Sequence, residues 1–171
     1  MTRIATVELH KEELKFSAGH FMIVSGLERE TMHGHDYQIQ VSFNTTITEN
    51  GMAFDCRTYK AALLRLCSSL DYRFILPAES VYLRLEETDT HYIAHMQQEQ
   101  IPFLKRDAIA LPICNVTMEE LSNWFLQQLI QDRLMLKKDG IHGITVKVFN
   151  GRGESGATTW QNHSKDTAVE A

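Results

Sequence analysis

The stretch Gly26–Phe43, GLERETMHGHDYQIQVSF, decides how the rest of the chain is read. Successive residues of a β-strand point to opposite faces, so His33 and His35 project side by side while Gly34 turns away. Beyond them Tyr37, Ile39, Val41 and Phe43 alternate with Asp36, Gln38, Gln40 and Ser42, the period-two pattern of a strand with one face in a core. Two imidazoles at the mouth of such a strand have the geometry of a ligand pair. Glu30 stands three positions before His33, and the strand is expected to end at the turn pair Asn50-Gly51.

Upstream, the chain from Ile4 to Val24 reads as one or two strands interrupted by the charged run HKEE, with small residues in FSAGH just before His20. A loop is expected from Ser25 to Met32. Adjacent antiparallel strands lie only about 4.8 Å apart, which makes His20 the candidate third ligand. Three neutral imidazoles leave a fourth position on zinc for water or substrate, as catalytic rather than structural sites do. The plainer alternative makes His33 and His35 polar loop-end residues and His20 a hydrogen-bonded core histidine.

Downstream, CRTYKAALLRLCSSL repeats Tyr59, Leu63, Leu66 and Leu70 at three- and four-residue spacing and predicts a helix. Between Leu76 and Pro112, SVYLRLEE and HYIAHMQQ are strand-like runs separated by TDT, and a hairpin is expected. A second helix is expected to open at Thr117, with Glu120 three residues on as its capping partner, and to run to about Leu134. GIHGITVKVFN predicts a further strand, and GRGESGATTW a glycine-rich bend into a short one. The pattern is that of an α+β protein with two helices on one face of an antiparallel sheet, a single domain over 1–160 and a polar, frayed tail over 161–171.

A chain of 171 residues, 43% hydrophobic, can bury one full core, so no second domain is expected. The formal charge of −5 and the lack of any Lys/Arg-rich block argue against nucleic acid or an anionic membrane as the main partner. No window approaches the roughly 20 apolar residues that span a bilayer, and the N-terminus lacks a signal-peptide core, so the expected location is cytoplasmic. The three cysteines, Cys56, Cys67 and Cys114, include no CxxC pair, which argues against disulfides or cysteine-bound zinc; they are expected to be mostly reduced core residues.

FSAGH, HGHDY, GMAFD, LDY, NVTMEEL and a final strand follow one another over about residues 13–160, and in that order they resemble the family of 6-pyruvoyl-tetrahydropterin synthase and 6-carboxytetrahydropterin synthase. The resemblance implies the T-fold, whose subunits join their sheets into a barrel, in a trimer or hexamer with sites at subunit junctions. It implies a pterin as small-molecule substrate, and zinc held by His20, His33 and His35.

Three departures bear on the chemistry. The pyruvoyl- and carboxy-forming members carry a catalytic cysteine just before HGH, and SGLERETM holds none. Glu30 instead gives ExxHGH, which looks like the branch that cleaves 7,8-dihydroneopterin triphosphate to 6-hydroxymethyl-7,8-dihydropterin. A metal that lowers the pKa of the side-chain hydroxyls and a carboxylate that moves protons could do this without a thiol. The bland alternative leaves Glu28, Arg29 and Glu30 merely solvated. In LDY, Asp71 is kept while Tyr72 replaces the family's relay histidine; a phenol with pKa about 10 is a poor base but a good hydrogen-bond donor. Both remain candidate catalytic residues.

The third departure is at the pterin end, where the family's last strand carries an anchoring glutamate and Phe149 stands here. Glu154 or Glu119 could replace it, with Thr117 as a further substrate contact, since NVTMEE resembles the family's NPTxE with Val116 for proline. Helix capping explains Thr117 and Glu119 equally well. The resemblance leaves room for pyruvoyl- or carboxy-forming activity, for an altered substrate, or for a non-catalytic zinc-binding assembly. Outside the site, His91 and His95 would form a metal pair on a helix and plain polar positions on a strand. Cys56 lies beside Arg57, which could depress its pKa, although a small residue ahead of the helix is the simpler reading. Trp124 and Phe125 are expected in the core or a subunit interface.

Overall fold

The structure, a computed structural model, describes residues 3–151 and 153–162. Two strands precede the first histidine: β1 (Arg3–Leu9) and β2 (Lys15–His20). The charged HKEE run separates them as a tight turn closed by Leu14 N–H on the Lys11 carbonyl. A small hairpin follows, β3 (Ile23–Ser25) with β4 (Glu28–Arg29), in part of the segment expected as loop. Then comes β5 (His33–Ile47), the long central strand, whose start pairs with β2 and whose end pairs with β1.

Helix α1 (Arg57–Leu70) buries Tyr59, Leu63, Cys67 and Leu70. Cys67 replaces the expected Leu66 on the buried stripe because i+4 and i+8 from Tyr59 fall at Leu63 and Cys67. Strand β6 (Arg73–Pro77) leads to a three-stranded meander of β7 (Arg84–Glu87), β8 (His91–Met96) and β9 (Glu99–Leu104), and the chain returns as β10 (Ala108–Leu111). The expected hairpin is present as β7–β8, turning at Thr88–Thr90, and β9 extends it. Next are α2 (Met118–Leu129), a short α3 (Arg133–Lys138), and the closing strands β11 (Ile141–Asn150) and β12 (Ser155–Gln161). The helix expected to reach Leu134 stops at Leu129, since the Asp132 side chain accepts from Met135 N–H and starts a new helix.

The main sheet runs β10-β6-β2-β5-β11-β12, with β1 also on β5. It is antiparallel except at one side, where β6 runs parallel to both β2 and β10. Parallel neighbours need a long connection, and the meander supplies it between β6 and β10. Both long helices lie on one face, over a core that joins Tyr37, Ile39, Val41 and Phe43 of β5 to Leu63, Leu70, Leu121 and Phe125. Trp124 and Phe125 are in that core, as expected. A second apolar cluster, including Phe21, Leu76, Ala94 and Met96, fastens the meander to the sheet. Of the cysteines only Cys67 is buried; Cys114 is exposed and Cys56 half-buried, and all three are free. Residues 163–171, most of the expected tail, lie outside the described residues.

Candidate metal centre

Strand register brings the histidines together. His20 on β2 is directly opposite His33 on β5, and Ala18 is opposite His35, so the three side chains share the face that carries the core. Their ring centroids lie 4.5 to 5.1 Å apart, and one ligand nitrogen from each falls within 4.8 Å of the others. The intervening glycines, Gly19 and Gly34, face each other on the opposite side. A Cβ on Gly19 would meet the Phe74 ring at 2.7 Å, so β2 and β6 approach this closely only with glycine there.

The imidazoles are pre-set for a cation. His20 Nδ1 bonds the Val116 carbonyl at 3.1 Å and His33 Nδ1 bonds the Thr31 carbonyl at 2.8 Å, which puts both protons on Nδ1 and leaves both Nε2 lone pairs free. His20 Nε2 is fully buried and has no hydrogen-bond partner among the described residues. An orphaned acceptor in such a place is uncommon and fits a metal ligand. Burial, followed by the neighbouring His33 and His35, pushes the His20 pKa down to about 4; burial and His33 lower His35 as well. Both are therefore neutral at physiological pH, the form that binds metal.

Asn115 secures this arrangement. Its side chain accepts from Ile23 N–H at 3.0 Å and donates to the Ile23 carbonyl at 2.8 Å, as a paired strand residue would. That places Val116 over His20 and Thr117 at the start of α2, where its hydroxyl accepts from Glu120 N–H as an N-cap. Thr117 therefore does the capping its sequence suggested, while also lining the site.

A cleft of about 350 Å³ opens over the histidines, bordered by Met22, Glu30, Tyr37, Thr117, Glu119, Asn150 and Glu154. Glu30 comes within 3.8 Å of His33 Nε2, and the same carboxylate oxygen accepts from Met22 N–H at 3.3 Å. Glu30 is thus anchored beside the triad rather than waving in solvent. Tyr37 forms the floor, its ring edge-on to His20 and His35, and its phenol pKa is raised by burial and by Glu30.

The family model described as 6-pyruvoyl tetrahydropterin synthase matches residues 8–161. The chain belongs to that family. Among solved structures, this family member is similar to the 6-pyruvoyl tetrahydropterin synthase of Plasmodium vivax, at 27% identity and TM-score 0.86 over 93% of this chain and 99% of that one. The Plasmodium falciparum protein of the same name is 28% identical, at TM-score 0.86 over 92% and 98% of the two chains. A Pyrococcus horikoshii relative, provisionally named a 6-carboxy-5,6,7,8-tetrahydropterin synthase, is 26% identical over 122 residues, 69% of this chain and 71% of its own. The fold is the family's T-fold subunit.

Within this T-fold subunit the other candidate residues divide. Glu119 and Glu154 line the cleft with Glu30. Asp71 and Tyr72 do not: Asp71 accepts from Ser17 N–H at 2.8 Å, and Tyr72, at φ 56° and 87% exposed, borders a separate concavity on the glycine side of the sheet. Phe149 also leaves the site, stacking on His10 with centroids 6.1 Å apart. Val146 and Val148 are buried toward the core, so strand alternation carries Asn150, not Phe149, to the cleft. Met22, Tyr37 and Asn150 are cleft residues that reading the sequence did not assign to the site, and the alternation of VKVFN was the signal for Asn150. His91 and His95 are four apart on a strand, not a helix; His95 bonds Glu86 at 3.0 Å and His91 bonds Thr90 at 2.8 Å.

Proposed function

We propose that the protein is a zinc-dependent pterin synthase-like lyase that cleaves the side chain of 7,8-dihydroneopterin triphosphate to give 6-hydroxymethyl-7,8-dihydropterin. The observation that carries this reading is the Glu30 carboxylate fixed beside three convergent histidines, in a cleft that no cysteine lines among the described residues. Two Plasmodium vivax 6-pyruvoyltetrahydropterin synthase structures, each 26% identical to this chain, are described as mutants of a catalytic glutamate, replaced by alanine or cysteine. That description supports a catalytic glutamate here too.

His20, His33 and His35 would hold the zinc, which when bound supplies Lewis acidity that acidifies the substrate's side-chain hydroxyls. Glu30 takes the proton of the hydroxyl on the second side-chain carbon as the bond from that carbon to the ring-attached carbon breaks, and the departing fragment leaves as an aldehyde. The electron pair passes to the carbon attached to the ring, and Glu30 returns a proton there. Tyr37 and Met22 shield the reacting bond from water. At the far end Glu119 and Glu154 accept from the N–H donors of the pterin, and the Asn150 amide can both donate and accept. Asp71 and Tyr72 are outside this cleft within one chain; in a barrel of several copies they are available to a neighbouring subunit's site.

Chromatographic analysis of the product from dihydroneopterin triphosphate tests the proposal. The hydroxymethyl compound is expected. A pyruvoyl product, or none from zinc-loaded protein, would overturn it.

A further inference from the structure

Arg29 immediately precedes Glu30 and directs its donors two ways. Nε and Nη2 reach Oε2 of Glu99 at 2.8 and 2.7 Å, while Nη1 donates to the Glu30 backbone carbonyl at 2.8 Å. The guanidinium lies 5.2 Å from the centroid of the Phe21 ring, which is buried next to His20, and the Arg29 side chain is only 18% exposed. Glu99 opens β9, so its carboxylate comes from the meander, an element that supplies no side chain to the histidine cleft. Glu30 is meanwhile tied to Met22 twice, by its N–H to the Met22 carbonyl at 2.9 Å and by its carboxylate to Met22 N–H.

An ion pair with a half-exposed carboxylate adds little to stability. What a planar guanidinium fork adds is direction, because its donors leave at fixed angles. Among the described residues the two-residue strand that carries Arg29 pairs with β3 alone. We propose that Arg29, braced by Glu99, is the positioning residue that aims the Glu30 carboxylate at the histidines, and that the β7–β9 meander serves the site by carrying this brace. This rests on the reading of Glu30 as the acid–base group.

The test compares Arg29→Gln and Glu99→Gln with the parent, each loaded with zinc; the Glu99 side chain is 55% exposed, so its substitution spares the core. Amide hydrogen exchange is read first: the Met22 and Glu30 amides should exchange about 10-fold faster or more in both variants while those of β5 stay protected. In turnover, kcat should fall about 10-fold with KM within about 2-fold, and adding either change to Glu30→Gln should cost less than about 2-fold more. Unchanged exchange at Met22 and Glu30, or a full additional loss in the Glu30→Gln background, overturns the brace. If the parent itself does not turn over the pterin, the functional reading fails, and the exchange measurement decides the brace alone.

Discussion

His33 is the most informative residue to remove. Its side chain is partly exposed, so truncation leaves the core intact, yet its free Nε2 is one of three nitrogens converging on a point. On the proposed function the parent is expected to carry about one zinc per chain and His33→Ala to lose it, since two imidazoles make an incomplete site. Metal analysis checks this directly, and chelator should lower the parent's Tm while leaving the variant's unchanged. Glu30→Gln is expected to keep its zinc and lose about 10² or more in kcat, because the amide preserves size but cannot carry the proton; single-turnover kinetics on zinc-loaded protein would show it. The triad was legible in the sequence because HGH on a strand has only one geometry, and His20 closes the preceding strand. Asn150 was not, because a one-residue shift in register exchanges the two faces of a strand, and matching a motif to Phe149 ignored the buried Val146 and Val148 beside it.

At the scale of elements, the cleft depends on how α2 seats against β12. A Cβ on Gly156 would lie 2.5 Å from the Glu119 nitrogen and 2.6 Å from the Met118 carbonyl carbon, both backbone atoms of the first turn of α2. Backbone cannot swing aside as a long side chain can, so Gly156→Ala is expected to destabilise by about 1–3 kcal/mol. Urea unfolding would measure it. The same displacement moves Thr117 and Glu119, so KM should rise along with the loss of stability. The period-two and helical patterns were enough to place β5, α1, α2, β11 and β12. Strand direction was not legible: FILP and AIAL are short apolar runs that look alike in parallel or antiparallel pairing, and only the length of the excursion between them permits the parallel arrangement. The end of α2 was missed because Asp132, inside the expected helix, captures Met135 N–H and caps a new one.

For the whole molecule, Asp71 and Tyr72 stand apart from the histidine cleft of their own chain, and the role proposed for them needs a second copy. The core between α1 and the sheet, by contrast, is complete within the chain, and it contains a titratable group. Cys67 is 2% exposed among Tyr59, Leu63 and Leu70, and burial, with Asp71 adding to it, pushes its thiol pKa up to about 12. In the unfolded chain the thiol ionises near its ordinary value of about 8.5. Below that value both states hold the proton, and the group leaves stability independent of pH. Above it the unfolded chain releases the proton while the folded chain retains it, so folding loses about 1.4 kcal/mol per pH unit until the folded pKa is reached. Stability should therefore fall between about pH 9 and 11. The buried phenols of Tyr37 and Tyr59, whose pKa values are also raised by burial, add to the loss at the upper end. Cys67→Ala separates the contributions: it is less stable than the parent at pH 7 because it leaves a small cavity, but its stability should decline less steeply in the alkaline range, by about 1.4 kcal/mol per pH unit. Urea unfolding at pH 7, 9, 10 and 11 checks this. Parallel curves for parent and variant would show that the thiol ionises without unfolding the core.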